Sequence, residues 1–459
     1  MLDAAQAAAV AAPADRPLLV LGEAGHGKTT VLVTRVARLW RASERPLRVA
    51  VLVPHAGLVA ALQPQLRALG VDVEPWTFDR FAAKQARRAF RRLPRESTST
   101  PPLVARSKRS GSLRVALEVL AARDPGIIDD DVDARVSRAR VGMGDLQHLF
   151  GDRVLLGETG ASPSMIEAVL ERTRVQFGRT TEAAWAHVVD RERLVTVDRR
   201  AIDHATAEAD VATIDVEDYP LLFALDALRA ARRGERPKEP VRFDVIAIDE
   251  AQEMGPWELA LIGRCLRPGG ALVVAGDADQ HTDETSEFMG WDATMRALGV
   301  FDHAVVTLPL GYRCPGTVVA LARIVRSGGV GHANVVTFAD VDVRARAIVE
   351  AVRTIVRRDP RATVGVVCRT PTTARTLAAK VPARLVFDGR FPTRGAAITV
   401  TAEVKGLELD YVIVPDADTT TYPDDPASRR ALYVAITRAR SRLLLGALGA
   451  VSPILRARS

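Results

Sequence analysis

Leu18-Leu-Val-Leu-Gly-Glu-Ala-Gly-His-Gly-Lys-Thr-Thr-Val-Leu-Val-Thr-Arg35 decides how the rest of the chain is read. The apolar run at 18–21 has the make-up of a buried parallel strand. Gly22, Gly25, Gly27, Lys28 and Thr29 then spell G-x-x-x-x-G-K-T, and an apolar-periodic helix follows. Strand, glycine loop and helix in that order form the setting in which such a loop cradles phosphate. Glycines let the backbone close around phosphate oxygens, while loop amides and the helix N-terminus supply positive potential. Lys28 is suited to neutralise β- and γ-phosphates, and the Thr29 hydroxyl to hold Mg²⁺. The stretch implies binding of a nucleoside triphosphate, with Thr30 counted among the nucleotide-binding residues.

At 459 residues the chain exceeds one ordinary core, and about two to four domains are expected. Its 47% hydrophobic and 26% charged residues are those of a globular protein in water. No apolar run approaches the roughly 20 residues that span a bilayer, so no membrane partner is expected. Asp3 and the lack of a basic N-terminal region argue against a secretory leader. Cys265, Cys314 and Cys368 lie far apart and make neither a disulfide framework nor a metal pair. The expected setting is a reducing cytoplasm.

The net charge of +7 is concentrated. Lys84, Arg87, Arg88, Arg91, Arg92, Arg95, Arg106, Lys108, Arg109 and Arg114 fall in one stretch with a single acid, Glu96. Such a patch suits a nucleic-acid backbone.

Strand and helix alternate around the phosphate loop. Strands are expected over 47–53 and 71–75, with a helix opened by Pro54-His-Ala-Gly57 between them. This alternation argues for a parallel, doubly wound α/β sheet. From 84 to 240 the periodicity is mainly helical, over 113–122, 164–177, 182–190 and 221–233, and reads as an insertion. The sheet resumes with Phe243-Asp-Val-Ile-Ala-Ile-Asp-Glu-Ala-Gln252, a buried strand ending in two carboxylates. Asp249 can reach Mg²⁺, and Glu250 can orient or deprotonate the attacking water. A strand over 271–276 leads to Asp277 and Gln280. The Gln280 amide both donates and accepts, so it can sense a γ-phosphate or position water.

A second α/β half is expected from 304, with strands over 305–308, 363–368, 384–387, 397–400, 411–414 and 442–445. Helices are expected over 316–326, 343–357 and 372–380, and 429–440 reads as a basic helix. Arginines of this half that face the phosphate loop are the parts of a cleft closing on ATP. The expected fold is α/β, with two parallel-sheet domains and a mainly helical insertion in the first. The divisions are 1–83 with 241–303, then 84–240, then 304–459.

These motifs together resemble, in order, those of superfamily 1 helicases of the UvrD/Rep type, and the resemblance implies that the two α/β halves are RecA-like P-loop NTPase domains. Gln6 resembles the adenine-reading Q motif, and Gly22 to Thr29 the phosphate-loop motif. Thr77-Phe78-Asp79 is similar to a T-F-D motif that touches single-stranded nucleic acid. Asp249-Glu-Ala-Gln252 is similar to D-E-x-Q, and Gly276-Asp-Ala-Asp-Gln280 to G-D-x-x-Q. Tyr312-Arg313 resembles the pair in which Tyr stacks on the base and Arg reaches the γ-phosphate. Lys405-Gly-Leu-Glu408 is similar to K-G-L-E at the nucleotide and strand interface. Tyr433 to Ala439 resembles Y-V-x-x-T-R-A, which makes Arg438 a second γ-phosphate contact.

Three departures stand out. His281-Thr-Asp-Glu-Thr replaces the usual aromatic-containing segment, the nearest aromatics being Phe288 and Trp291. Val53-Pro-His-Ala-Gly57 lacks the T-F-T-N-K form. Too few residues separate Arg313 from Lys405 for the family's large helical insertion in the second half. The trimmed layout is also similar to the HelD-like branch that acts on RNA polymerase. The resemblance implies an ATP- and Mg²⁺-dependent 3′–5′ translocase or helicase on single-stranded DNA or a single/double-strand junction. Its alternatives are a remodeller of a complex such as RNA polymerase, a motor subunit beside a nuclease, and a binding module gated by ATP.

Overall fold

The computed structural model describes residues 2–90, 92–97, 100–123, 140–177, 212–309, 315–327, 333–387, 391–392 and 394–456. The first sheet opens with β1 (Leu18–Leu21), β2 (Val49–Val53) and β3 (Trp76–Thr77). β1 and β2 are runs of Leu, Val and Ala buried almost throughout. Strands covered by helices on both faces need such continuous apolar runs. β4 (Arg95–Glu96) and β5 (Thr213–Ile214) form a short parallel pair of their own. β6 (Phe243–Ile248), β7 (Leu266–Gly276) and β8 (Ala304–Thr307) complete the first sheet. Its order is β3-β2-β6-β7-β1-β8 and every pair is parallel.

The second sheet holds β9 (Val335–Phe338), β10 (Thr363–Cys368), β11 (Arg384–Leu385), β12 (Gly395–Val400), β13 (Leu409–Val414) and β14 (Ala439–Leu448). The order is β11-β12-β10-β13-β14-β9, again parallel throughout. Two parallel sheets with helical crossovers are the α/β architecture of two RecA-like P-loop domains. Parallel strands bring their carboxyl ends to one edge, which is where such sheets place ligand-binding loops.

Several elements differ from the sequence expectation. The third strand is Trp76–Thr77, paired with Leu52 and Val53, rather than 71–75. Pro75 has no N–H for a ladder, so pairing starts after it. β8 was expected in the second half, yet it pairs with β1, with Leu18 opposite Ala304. A four-residue Val-rich strand carries no mark of which sheet it joins. β9 was not expected at all, and it adds the outer strand beside β14. The helix expected over 429–440 runs instead over Pro426–Ile436. Thr437 Oγ1 donates back to the carbonyls of Tyr433 and Val434 and closes the last turn, after which β14 begins. The helix expected over 182–190 lies outside the described residues.

The insertion contains helices Pro102–Arg109, Leu113–Ala122, Met143–Gly151, Pro163–Gln176 and Asp218–Arg233. Its apolar side chains merge with those of the first sheet in one core. Part of the basic stretch turns inward here. Lys108 is wholly buried, with Nζ 2.8 Å from Asp215 and 2.7 Å from Asp218. Burial opposes its charge, but the two carboxylates more than offset this and raise its pKa. Arg109 is held by Glu258 and Asp283. The patch is therefore smaller than ten solvent-facing cations, because charge counted along a sequence does not report which groups meet buried acids.

Candidate active site

The phosphate loop sits at the carboxyl end of β1. Gly27 has φ +84°, and a Cβ there would lie 2.5 Å from Gln6 Nε2, so the position excludes any side chain. Gln6 belongs to a capping box on the helix Ala4–Ala11: its amide N–H donates to Asp3 Oδ1 at 2.8 Å. Its Nε2 donates to the His26 carbonyl at 3.1 Å, which ties the first helix to the loop. Arg35, buried on the loop's helix Lys28–Ala42, donates to the carbonyls of Ala9, Val10, Ala12 and Pro13. Lys28 Nζ donates to the carbonyls of Gly22 at 2.8 Å and Glu23 at 3.2 Å, so it lies folded along the loop. Gly25, with φ +79°, lines the cleft, and Thr30 follows Thr29 on the helix. His26 Nδ1 is 2.7 Å from the Leu308 carbonyl, just beyond β8.

Asp249 and Glu250 leave β6 at the same edge. Thr29 Oγ1 donates to Asp249 Oδ2 at 2.6 Å. Asp249 is fully buried, and burial followed by the charge of Glu250 raises its pKa to about 6. Glu250 occupies the left-handed region, φ +55° and ψ +43°, an uncommon place for a non-glycine residue. Gln252 holds it there: Nε2 donates to Glu250 Oε2 at 2.6 Å, and Oε1 accepts from Asp277 N at 3.1 Å. A Cβ on Gly276 would strike Trp291 and the Gln252 amide, which accounts for glycine at the end of β7. Gln280 Nε2 donates to Asp277 Oδ2 at 2.8 Å.

The second half supplies the opposite wall. Arg438 Nη2 donates to Gln280 Oε1 at 2.6 Å, and its Nε donates to the Val434 carbonyl. Tyr433 Oη accepts from the loop amide of Ala24 at 3.3 Å and donates to Asp277 at 3.5 Å. Burial and then the charge of Asp277 raise its phenol pKa. One cleft is lined by Gly25, Lys28, Thr29 and Glu250 on one side and Glu408 and Arg438 on the other.

The structure thus gathers Gln6, Gly22, Gly25, Gly27, Lys28, Thr29, Asp249, Glu250, Gln280, Glu408 and Arg438. Tyr312 and Arg313 lie outside the described residues. The three expected nucleic-acid contacts are engaged internally. Thr77 caps the helix Phe78–Ala89 by accepting from Arg80 N. Phe78 is buried in the first core. The Lys405 ammonium is buried 2.7 Å from Glu253. Motif order does not report which way side chains turn. Gln252 and Tyr433 fall within the sequence motifs, which give neither a role of its own, and His26 and Glu253 carry no sequence signal.

The arrangement can bind a triphosphate between loop and arginine and can activate water at Glu250. A hydroxyl and a carboxylate 2.6 Å apart, with a second carboxylate adjoining, suit a hard divalent cation. Asp249 is fully buried with a raised pKa, so its environment favours a counter-cation. Among the described residues no group of three or more His, Cys, Asp or Glu forms a protein-only metal cage. Among the described residues no helix is long and apolar enough to cross a membrane.

Comparisons with known proteins bear on this cleft directly. An AAA-domain family model matches residues 6–285. A UvrD-like helicase C-terminal domain matches residues 395–445. No curated protein matches. The C-terminal domain of a possible DNA helicase from Lactobacillus plantarum WCFS1 is 23% identical over 32% of this chain and 95% of that one. Its TM-score of 0.28 is too low to carry an argument. The AAA-domain match takes in the phosphate loop, both carboxylates and Gln280, and the UvrD-like match takes in Glu408 and Arg438. The chain belongs to the AAA-domain family and is a UvrD-like superfamily 1 helicase.

Proposed function

We propose that this DNA helicase ATPase moves 3′ to 5′ along single-stranded DNA and opens duplex at single/double-strand junctions. The observation that carries the motor reading is the 2.6 Å bond from Arg438 to Gln280, across a cleft lined by Lys28, Thr29 and Glu250 with Asp249 bonded to Thr29; the polarity and the junction substrate follow the motif resemblance. Each half then contributes part of one reaction centre, so hydrolysis and movement of the halves are linked.

In this reading Lys28 leaves the loop carbonyls for the β- and γ-phosphates. Thr29 and Asp249 hold Mg²⁺, which when bound neutralises phosphate charge. Glu250, held by Gln252, takes the proton of the attacking water. Arg438 and Arg313 stabilise charge on the γ-phosphoryl, and Gln280 relays its presence. Gln6 and Tyr312 hold the base, and Glu408 the sugar side of the cleft. We place the domain divisions near 84 and 240, and the last after Thr307, where β8 ends. The test is unwinding of duplexes with 3′ or 5′ single-stranded tails. Opening of 3′-tailed substrates supports the reading, and opening of 5′-tailed substrates alone reverses the polarity.

One observation favours a second reading. Thr77, Phe78 and Lys405 are committed to a helix cap, a core and an ion pair. A motor with few free strand contacts would suit ATP-driven remodelling of a protein–nucleic-acid complex such as RNA polymerase, or work beside a nuclease subunit. ATP turnover indifferent to DNA but raised by such a protein would select it.

A further inference from the structure

The turn that begins with Asp249 and Glu250 ends at Glu253, a buried carboxylate with no part in the chemistry above. Its Oε1 accepts from Thr282 N and its Oε2 from Asp283 N, both at 3.1 Å. Oε2 also accepts from Lys405 Nζ of the second half at 2.7 Å. The Glu253 carbonyl accepts from Arg109 Nη2 of the insertion at 2.7 Å. Arg109 is bound in turn to Asp283, whose carboxyl pKa it holds down to about 2 against the effect of burial. Lys405 is gripped twice, since His55 Nε2 donates to its carbonyl at 2.7 Å. Glu253 therefore joins the second half and the segment after Gln280 through its side chain, and the insertion through its backbone carbonyl.

The backbone of Glu253 also closes the turn that carries the water-activating group. Glu253 N donates to the Glu250 carbonyl at 3.1 Å, and Met254 N to Ala251 at 3.2 Å, so the turn moves as a unit. Glu250 sits in a backbone conformation that its surroundings must hold in place. A buried ion pair is either made or broken, because a half-separated pair leaves two charges in a poor solvent. Such a pair, joining the first half to the second, can serve as a two-state element.

We propose that Glu253 is a positioning residue that couples strand binding to hydrolysis: through Lys405 and Arg109 it transmits the placement of the second half and the insertion to Glu250. The partner that sets this placement is a single-stranded nucleic acid held jointly by the insertion and the second half. The inference rests on the strand-driven reading proposed above.

The test is steady-state ATP hydrolysis with and without oligo-dT for the wild type, Glu253→Gln, Lys405→Met, the double variant and Lys405→Arg. Thermal unfolding is recorded alongside. Glu253→Gln and Lys405→Met should keep turnover without DNA within about threefold of wild type, and the stimulation by DNA should fall about tenfold. The double variant should be no worse than either single one, and Lys405→Arg should recover most of the stimulation. If Glu253→Gln unfolds, Lys405→Met reads the same contact from the other side. A merely structural role would lower both rates in proportion, and that result overturns the proposal, as does an unchanged stimulation ratio. A wild type that DNA does not stimulate overturns the strand-driven reading itself, and this inference with it.

Discussion

Arg438 Nη2 lies 2.6 Å from Gln280 Oε1, an arginine of one half bound to a glutamine of the other. Its guanidinium is buried and aligned by the Val434 and Leu407 carbonyls before any phosphate arrives. Arg438→Ala should lower kcat by about a thousandfold or more, with a much smaller change in KM. Arg438→Lys should not restore it, because a lysine lacks the planar fork that meets both Gln280 and a phosphoryl oxygen. Steady-state kinetics on both variants check this.

The glutamine at the end of D-E-A-Q has its own consequence. Gln252 fixes the Glu250 carboxylate at 2.6 Å and reaches Asp277 N with its other end. Glu250→Gln should abolish turnover by about a hundredfold or more while nucleotide still binds. Gln252→Ala should keep nucleotide binding and reduce kcat less than Glu250→Gln does. Equal loss in the two would mean that Gln252 acts as more than a support. Fluorescent nucleotide binding read beside turnover separates these outcomes.

Arg35 joins stability to substrate binding. Its guanidinium donates to four carbonyls around the end of the first helix, the helix that carries Gln6 to the loop. Arg35→Met leaves those carbonyls unpaired and should cost about 3 kcal/mol. It should also raise KM for ATP, because Gln6 loses its fixed position. Urea unfolding and a KM determination test the two parts separately.

Asp416, just past β13, is buried and accepts a hydrogen bond from Arg369 N at 2.9 Å. Burial raises its pKa from 3.8 to about 7. A carboxyl raised in the folded state favours folding only while protonated. Its contribution is complete below about pH 4 and is lost as pH rises through about 7. Asp416→Asn should therefore gain stability relative to wild type between pH 4 and 8, by at most about 4 kcal/mol. Unfolding midpoints of both proteins across that range supply the measurement, and a pH-independent difference contradicts it.

The basic stretch divides into two classes. Arg88 and Arg92 are exposed, whereas Lys108 is buried between Asp215 and Asp218. Replacing Arg88 and Arg92 together should reduce the salt dependence of DNA binding, by about one to two in logarithmic slope. Lys108→Met should instead destabilise the fold, because it leaves two buried carboxylates without their cation. An unchanged slope after the first pair of substitutions would make those arginines a solvated face.

The sequence was most informative where chemistry demands particular residues at fixed spacing. Gly22 to Thr29 and Asp249-Glu250 lie at strand ends, as apolar runs followed by glycines or acids suggest. The long parallel strands were legible for the same reason. Sheet membership was not: β8 was expected as a strand but in the second half, β9 was not expected, and only pairing with β1 and β14 shows where they belong. Side-chain direction was also out of reach. Lys405 and Phe78 sit in motifs associated with a strand, yet burial and a partner carboxylate decide their contacts. Glu253 carried no signal, because an ion pair across 152 positions leaves no local pattern.

A strand-driven motor is tested first by steady-state ATP hydrolysis with and without single-stranded DNA, with Lys28→Ala as the blank. DNA should raise turnover at least about tenfold, and Lys28→Ala should abolish it. Turnover at the same rate in the presence and absence of DNA would contradict a strand-driven motor.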